Sequence, residues 1–204
     1  MIEAGDVDHP DIDGFGDHLV VKLADVPHRT ELGAVRVGVP RAGLGAAVEE
    51  LRANARQHAV PDAVAVQAMV GGHTEAFGGL QCETKLGPVL LLGAGGVLVE
   101  IAGRAAGRFL PLDDEAVRSI VDEVAGAAVI ARWRGQRPWP LPTVAELVRS
   151  LDRLWRSHGS RLWRSHGSWL GSVDINPLIV SDDGVVAVDA LMIAREGPTI
   201  GAHP

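Results

Sequence analysis

The chain has 204 residues, 47% of them hydrophobic and 22% charged, with a net charge of −7 at pH 7. That length can bury a sizeable core in one domain or two lobes, and the acidic balance excludes a protein that lives on a nucleic-acid phosphate backbone. Cys82 is the one cysteine, which excludes an internal disulfide and a thiolate metal site; no apolar run reaches the ~20 residues of a membrane span.

The start of the chain lacks a basic stretch followed by an apolar one, so no leader is read there and a cytoplasmic setting is expected. Residues 1–18 hold Asp6, Asp8, Asp11, Asp13 and Asp17 among Pro10, Gly14 and Gly16. Their spacing does not complete an EF-hand loop, and they read as an acidic irregular tail. Residues 19–23 predict a strand in which Lys22 either snorkels at an edge or aims an ammonium into a cleft. A polar loop containing Gly33 leads to a strand over 35–39. Ala47, Val48, Leu51 and Ala55 at helical spacing predict a helix over 44–59, stopped by Pro61.

Residues 64–70, Gly71-Gly72 and residues 73–80 predict a strand pair around a glycine turn. Glu75 is then either a solvent-facing cap or a cleft carboxylate. Residues 89–100, VLLLGAGGVLVE, place a glycine loop between two apolar runs. A dinucleotide-binding turn needs a helix directly after its glycines; residues 97–101 are β-branched and apolar, so that reading is rejected. Glycines without a helix still let the backbone approach a phosphate.

Residues 104–111 predict a strand holding Arg108, and Asp113 caps a helix to about residue 131. After a Trp/Pro/Arg loop, Thr143-Val144-Ala145-Glu146 has the form of a capping box opening the last long helix. That helix runs into a tandem duplication, RLWRSHGS at 153–160 and again at 161–168. An eight-residue step rotates a helix face by about 80°, so one copy must extend or disrupt the helix end. A local duplication event accounts for His158 and His166, and they are given no metal role.

Residues 172–192, SVDINPLIVSDDGVVAVDALM, predict two short strands around an Asp-Gly turn. A two-residue loop sets even positions of the first strand opposite odd positions of the second. Strict alternation then places Val173, Ile175, Ile179, Val186 and Val188 on a core face and Asp174, Asn176 and Asp189 on the other. Opposite or diagonal partners lie roughly 5–8 Å apart, so Asn176 and Asp189 can reach one ion. Their hard oxygen donors suit Mg²⁺, which takes further ligands from water and phosphate. A surface hairpin with a solvated acidic edge fits the same pattern.

Six segments in order resemble the ATP-grasp domain of the ADP-forming acyl-CoA synthetases, relatives of the succinyl-CoA synthetase β subunit. They are LVVKLADVPHRTELGAVRVGV, VQAMVGGHTEAFGG, GPVLLLGAGGVLVE, AAGRFLPL, RWRG and VDINPLIVSDDGVVAVDAL, over about residues 19–193. The resemblance implies an α+β ATP-grasp fold with an incomplete N-terminal lobe: a partial first lobe over 19–70, a second over 71–193 and a tail over 194–204. It implies ATP and Mg²⁺ as cofactors, with Lys22 on the phosphates and the loop around Gly33 covering them. Gln67 and Glu75 contact the nucleotide, Gly95, Gly96 and Glu100 line the cleft, Arg108 touches phosphate, and Asn176 and Asp189 hold the metal. Ala68, Arg29 and Ala34 depart from residues common in the family. The implied reaction makes acyl-CoA, ADP and phosphate from an acid, CoA and ATP. It needs a CoA-binding, CoA-ligase domain or subunit as partner, and no nucleic acid or membrane. A non-catalytic nucleotide-binding remnant and a fragment of an acetyltransferase-fused relative are the alternatives.

Overall fold

The structure, a computed structural model, describes residues 10–24, 26, 32–82, 85–95, 105–131, 139–159 and 170–194. The chain divides into two compact units, Met1–Val70 and Gly71–Pro204. No helix among the described residues is long and apolar enough to cross a membrane.

The first unit is an antiparallel sheet in the order β2-β1-β3, with β1 His18–Leu23, β2 Val35–Pro40 and β3 Val64–Ala68. Alternation along β1 puts Leu19, Val21 and Leu23 on one face, each 1% exposed or less. There they join Leu44, Ala47, Val48, Leu51 and Ala55 of helix α1, Leu44–Gln57, in one core. Burying each leucine or valine there contributes roughly 1.5–3 kcal/mol. Lys22 lies on the other face. Between β1 and β2 the register passes from Leu19↔Val39 to Val20↔Val37, leaving Gly38 over as a bulge at φ +72°. Glycine takes that conformation without steric cost.

The expected irregular tail is corrected in its second half. Residues Pro10–Phe15 form a short 3-10 helix whose Ile12 is wholly buried in the core of the first unit. The Arg41 guanidinium holds it there, donating to the carbonyl oxygens of Ile12 and Gly16. The expected hairpin across Gly71-Gly72 does not form either: β3 ends the first sheet, and the strand after the glycines belongs to the second unit. Gly72 is instead pressed on a strand from the far end of the chain. A Cβ there would stand 2.7 Å from the Val180 carbonyl oxygen, which also accepts the His73 N–H at 2.9 Å.

The second unit is an antiparallel sheet in the order β6-β5-β4-β7-β8, with β9 also paired to β7. Its strands are β4 Thr74–Gln81, β5 Val89–Ala94, β6 Ala105–Phe109, β7 Leu170–Ser181, β8 Gly184–Ala187 and β9 Ala190–Ala194. Helices α2, Asp114–Ala131, and α3, Leu141–Leu154, join one face of this sheet in a shared core. Ile120 and Val148 meet Leu80, Leu90, Leu92 and Leu178 there, all 2% exposed or less. At the centre of the sheet β4 and β7 lie so close that a Cβ on Gly79 would stand 2.3 Å from the Val173 carbonyl oxygen.

Asp113 caps α2 as expected, its Oδ1 accepting the Ala116 N–H at 2.8 Å. The capping box at Thr143 is corrected. Pro140 stands at the N-cap of α3, its carbonyl accepts the N–H groups of Thr143 and Val144, and no side chain caps the end. A proline at the second helical position sets the first turn by its fixed φ, and Glu146 turns outward to Arg153 at 2.6 Å. The first octamer copy disrupts the end of α3, whose winding slackens to a π turn over Trp155–Gly159. The second copy, the apolar run 97–101 and RWRG lie outside the described residues.

Near that end, buried Asp152 ties α3 to the segment between β6 and α2. Its Oδ1 accepts the Leu112 N–H at 3.0 Å and its Oδ2 accepts from Arg156 Nε at 2.6 Å. Arg156 also donates to the Leu112 carbonyl at 2.8 Å.

Candidate functional site

The site is built around β7. Its turn to β8 is a two-residue loop, Asp182-Asp183, closed by Ser181↔Gly184, so Val180 faces Val185 and Leu178 faces Ala187. Odd does oppose even. The alternation, however, changes phase within β7. Opposite β4 the register passes from Ala76↔Leu178 to Gly78↔Ile175, so Asn176 and Pro177 together oppose Phe77. This is a β-bulge. It lets Val173 and Ile175 on one side and Leu178 and Val180 on the other all enter the core, at 9% exposure or less. The expectation that Ile179 and Val186 share that core is corrected: Ile179 is half-buried and Val186 is 44% exposed, on the opposite face.

The bulge does not disturb the pairing on the other side of β7. Leu178↔Ala187 and Ile175↔Ala190 belong to one register, in which Asn176 stands directly across from Asp189. The Val188 N–H donates to the Pro177 carbonyl at 3.3 Å, which makes 177 and 188 the hydrogen-bonded pair. Asn176 and Asp189 occupy the adjoining position of that register, where β8 has ended at Ala187 and β9 has not yet begun at Ala190. Asn176 is exposed and Asp189 half-buried, and Asp189 Oδ1 accepts the Ala190 N–H at 3.0 Å.

Glu75 is exposed opposite Ile179, on the face of the sheet away from the helices. Gly95 lies against it, donating its N–H to the Glu75 carbonyl at 2.7 Å. A Cβ on Gly95 would approach Ala76 N at 3.0 Å and Glu75 Cβ at 3.1 Å, a contact tight enough that the neighbours would have to give. Asp174 is exposed on the same face, opposite Gly79 and Leu191. Glu75, Asp174 and Asp189 thus give this open face a carboxylate character at its described positions.

Arg108 is set apart from these residues. It pairs with wholly buried Leu90 and therefore stands on the helix-covered face. There its guanidinium donates to Ser119 Oγ and Glu123 Oε2 of α2, both at 2.8 Å. Arg36 does the same in the first unit: from edge strand β2, opposite Val21, it grips Glu50 of α1 at 2.6 Å. The hydrogen bond from Arg36 holds the Glu50 carboxyl below the usual carboxylate range and raises the arginine. Both arginines clasp a helix to a sheet edge.

In the first unit Lys22 is 8% exposed on the face away from α1. Gln67 opposes Val20 and Lys22 opposes Ala65, so Lys22 and Gln67 are diagonal neighbours on that face. Gly33 turns the chain into β2 at φ +60°, its carbonyl accepting from Arg36 Nη1 at 2.9 Å and Asn54 Nδ2 at 3.2 Å. Gly96 and Glu100, and residues 27–31 of the loop before Gly33, lie outside the described residues.

The donor set fits a hard divalent cation: an amide and a carboxylate oxygen, side by side on a carboxylate-lined face. Among the described residues no three of His, Cys, Asp and Glu gather into a cage. Asn176 and Asp189 would offer such a cation two oxygen ligands.

A family model described as an ATP-grasp domain matches residues 13–193. The chain is 28% identical over 186 residues to the ADP-forming acetate–CoA ligase I of Archaeoglobus fulgidus, covering 90% of this chain but 26% of that protein, about a quarter of its length. It is 25% identical over 186 residues to the β subunit of the ADP-forming acetate–CoA ligase I of Pyrococcus furiosus, covering 88% of this chain and 76% of that subunit. Among solved structures, the dinucleotide-forming acetyl-coenzyme A synthetase 1 of Ca. Korarchaeum cryptofilum, in complex with coenzyme A, Ca-AMPCP and HgCl⁺, shares the fold. Its TM-score is 0.77 at 23% identity, covering 91% of this chain and 80% of that one. With the family model spanning both units and the bulged hairpin intact, the chain belongs to the ATP-grasp domain family and is homologous to ADP-forming acetate–CoA ligase β subunits.

Proposed function

We propose that this chain is the ATP-binding component of an ADP-forming acyl-CoA synthetase, which converts an acid, CoA and ATP into acyl-CoA, ADP and phosphate. The observation that carries the reading is the Asn176–Asp189 pair, two oxygen donors set directly across one strand pair in a chain homologous to such ligases. When bound, Mg²⁺ draws charge from the phosphate oxygens and makes the terminal phosphoryl group a better acceptor.

The family resemblance gives residues of each unit a positioning or neutralising role. Asn176 and Asp189 would hold the cation. Lys22 supplies a buried ammonium to the phosphate oxygens, an interaction strengthened by its removal from water. Gln67, two positions along the neighbouring strand, offers an amide to the nucleotide. Glu75 offers a carboxylate on the open face, and Gly95 lets the backbone pass closely beside it. The resemblance assigns Gly96 and Glu100, which lie outside the described residues, to the same cleft. A phosphoryl group leaving ATP needs an acceptor on a CoA-ligase domain or subunit, which is the partner this reading requires.

The test is calorimetric titration of Mg²⁺·ATP into the chain, with Asn176→Ala and Asp189→Ala beside it. Saturable binding that falls by tenfold or more in both variants, about 1.4 kcal/mol, is the expected result. Absence of binding by the folded chain, or binding untouched by both substitutions, refutes the reading.

A further inference from the structure

We infer that β9 is a self-association surface: its outer edge pairs antiparallel with the same edge of a second copy, about a two-fold axis at Met192. The inference goes beyond the proposed function and does not depend on it. β9, Ala190–Ala194, pairs with β7 on one side, and among the described residues no strand takes the other. All five of its residues are exposed, Leu191, Met192 and Ile193 at 44%, 48% and 52%. The strand holds no charge, no proline and no glycine.

The other described edges are blunted by the devices that stop such pairing. β2 carries Arg36, the bulge at Gly38 and a terminal Pro40. The 3-10 helix at residues 10–15 lies against β3. β6 carries Gly107 and Arg108, and β8 is four residues long between Asp182-Asp183 and Asp189. β9 has none of these devices, so a strand from outside can add to it.

Its own sequence supplies the matching strand. Directly opposed residues of an antiparallel pair share a face of the sheet. Met192 opposes buried Val173 and so stands on the helix-covered face, while Leu191 opposes Asp174 on the open face. A two-fold axis at Met192, normal to the sheet, sets position 192 against itself, 191 against 193 and 190 against 194. Both faces are then matched: Met192 meets the second copy's Met192 and Ala190 its Ala194 on the helix side, and Leu191 meets its Ile193 on the other. No like charges oppose each other in this register, and all five residues are used. A shift by one residue sets Leu191 against Met192, which stand on opposite faces. The contact is isologous and consumes both β9 edges, so with the other edges blunted the assembly closes at two copies. A five-residue pair falls short of the roughly 1,200 Å² of a stable interface, so the dimer is a reversible one.

Sedimentation velocity of the chain across the micromolar range tests this. A monomer–dimer equilibrium is expected, and added salt strengthens it, because each copy carries a net charge of −7 that salt screens. Ile193→Lys sets a charge on the exposed edge and raises the dissociation constant at least about tenfold. The melting temperature at a dilution where both chains are monomeric stays level. Leu191→Lys does the same and decides the matter if Ile193→Lys does not fold. Met192→Cys links the copies under mild oxidation, since opposed Cα atoms lie about 4.5–5.5 Å apart, within disulfide reach. Leu191→Cys alone is diagonal to its own copy at roughly 7–8 Å and links several-fold less. Cys82 is buried, so the parent chain is the unlinked control.

A chain that stays monomeric throughout overturns the inference, all the more if the β9 amides resist hydrogen exchange, which places the cover within one copy. A dimer that survives both lysine substitutions uses another surface and overturns it as well. Equal linking through positions 191 and 192 overturns the two-fold at Met192.

Discussion

Asp152 is the buried carboxylate on which α3 hangs, and removing it gives a quantitative prediction. Asp152 is 7% exposed, as is Leu112, whose N–H it accepts. Asp152→Ala leaves that N–H buried without its acceptor, at a cost of about 1–3 kcal/mol. The ion pair with Arg156 is worth less, since the arginine side chain is 48% exposed and solvent screens it; about 1 kcal/mol is its ceiling. The sum is roughly 1–4 kcal/mol. Asp152→Asn keeps an oxygen for Leu112 N–H and loses only the charge, so it costs about 1 kcal/mol or less. The assay is urea unfolding followed by tryptophan fluorescence, because all five tryptophans fall in the second unit and report on it alone. If Asp152→Asn proves as damaging as Asp152→Ala, the charge and not the backbone acceptor holds the joint. If both lie within about 0.5 kcal/mol of the parent, the joint is not a stabilising contact.

Gly79→Ala sets a Cβ 2.3 Å from a backbone oxygen of the neighbouring strand, so β4 and β7 must part; a loss of at least about 3 kcal/mol in the same fluorescence assay is expected. Deleting one octamer, residues 161–168, leaves every described contact of Arg153 and Arg156 in the retained copy. Shortening the connection lowers its closure entropy, so stability is expected level or about 1 kcal/mol higher in urea unfolding. Arg153, by its hydrogen bond and then its charge, holds the Glu146 carboxyl below the usual range. Such a group adds stability above the ordinary carboxylate range and loses it as pH falls through its lowered value. Glu146→Gln should therefore flatten the acid limb of a stability–pH curve, and Glu50→Gln, for the carboxyl paired with Arg36, should act likewise in the first unit.

Local signals carried the hairpin and its consequence. The acidic turn and the odd–even pairing were readable because a two-residue loop fixes register, and with it the opposition of Asn176 and Asp189. The change of phase was not readable from alternation, since Ile175 and Ile179 are both apolar and only Pro177 marks the bulge. Gly71-Gly72 looked like a turn because two glycines lie between apolar runs, yet Gly72 serves close approach to Val180, roughly a hundred residues on. Arg108 offered no sequence clue to its partners: Ser119 and Glu123 reach it only once α2 lies across the sheet. Pro140 and Pro142 were visible, but their hold on the first turn of α3 outweighed a well-formed capping box. Ile12 was hidden among aspartates, where composition speaks for solvent and one buried side chain does not.

The long strand β7 also sets a timetable for synthesis. It joins β4 to β8 and β9, and its pairing with β4 closes a span of about a hundred residues. Until the ribosome has released that late segment, the nascent β4-β5-β6 meander presents β4 as a bare edge, open to pairing with a neighbouring chain. Such non-local closure is slow. A stalled or prematurely terminated translation product ending before Leu170 would keep that edge open, and chaperone capture or aggregation in the cell would follow from where one strand lies in the message.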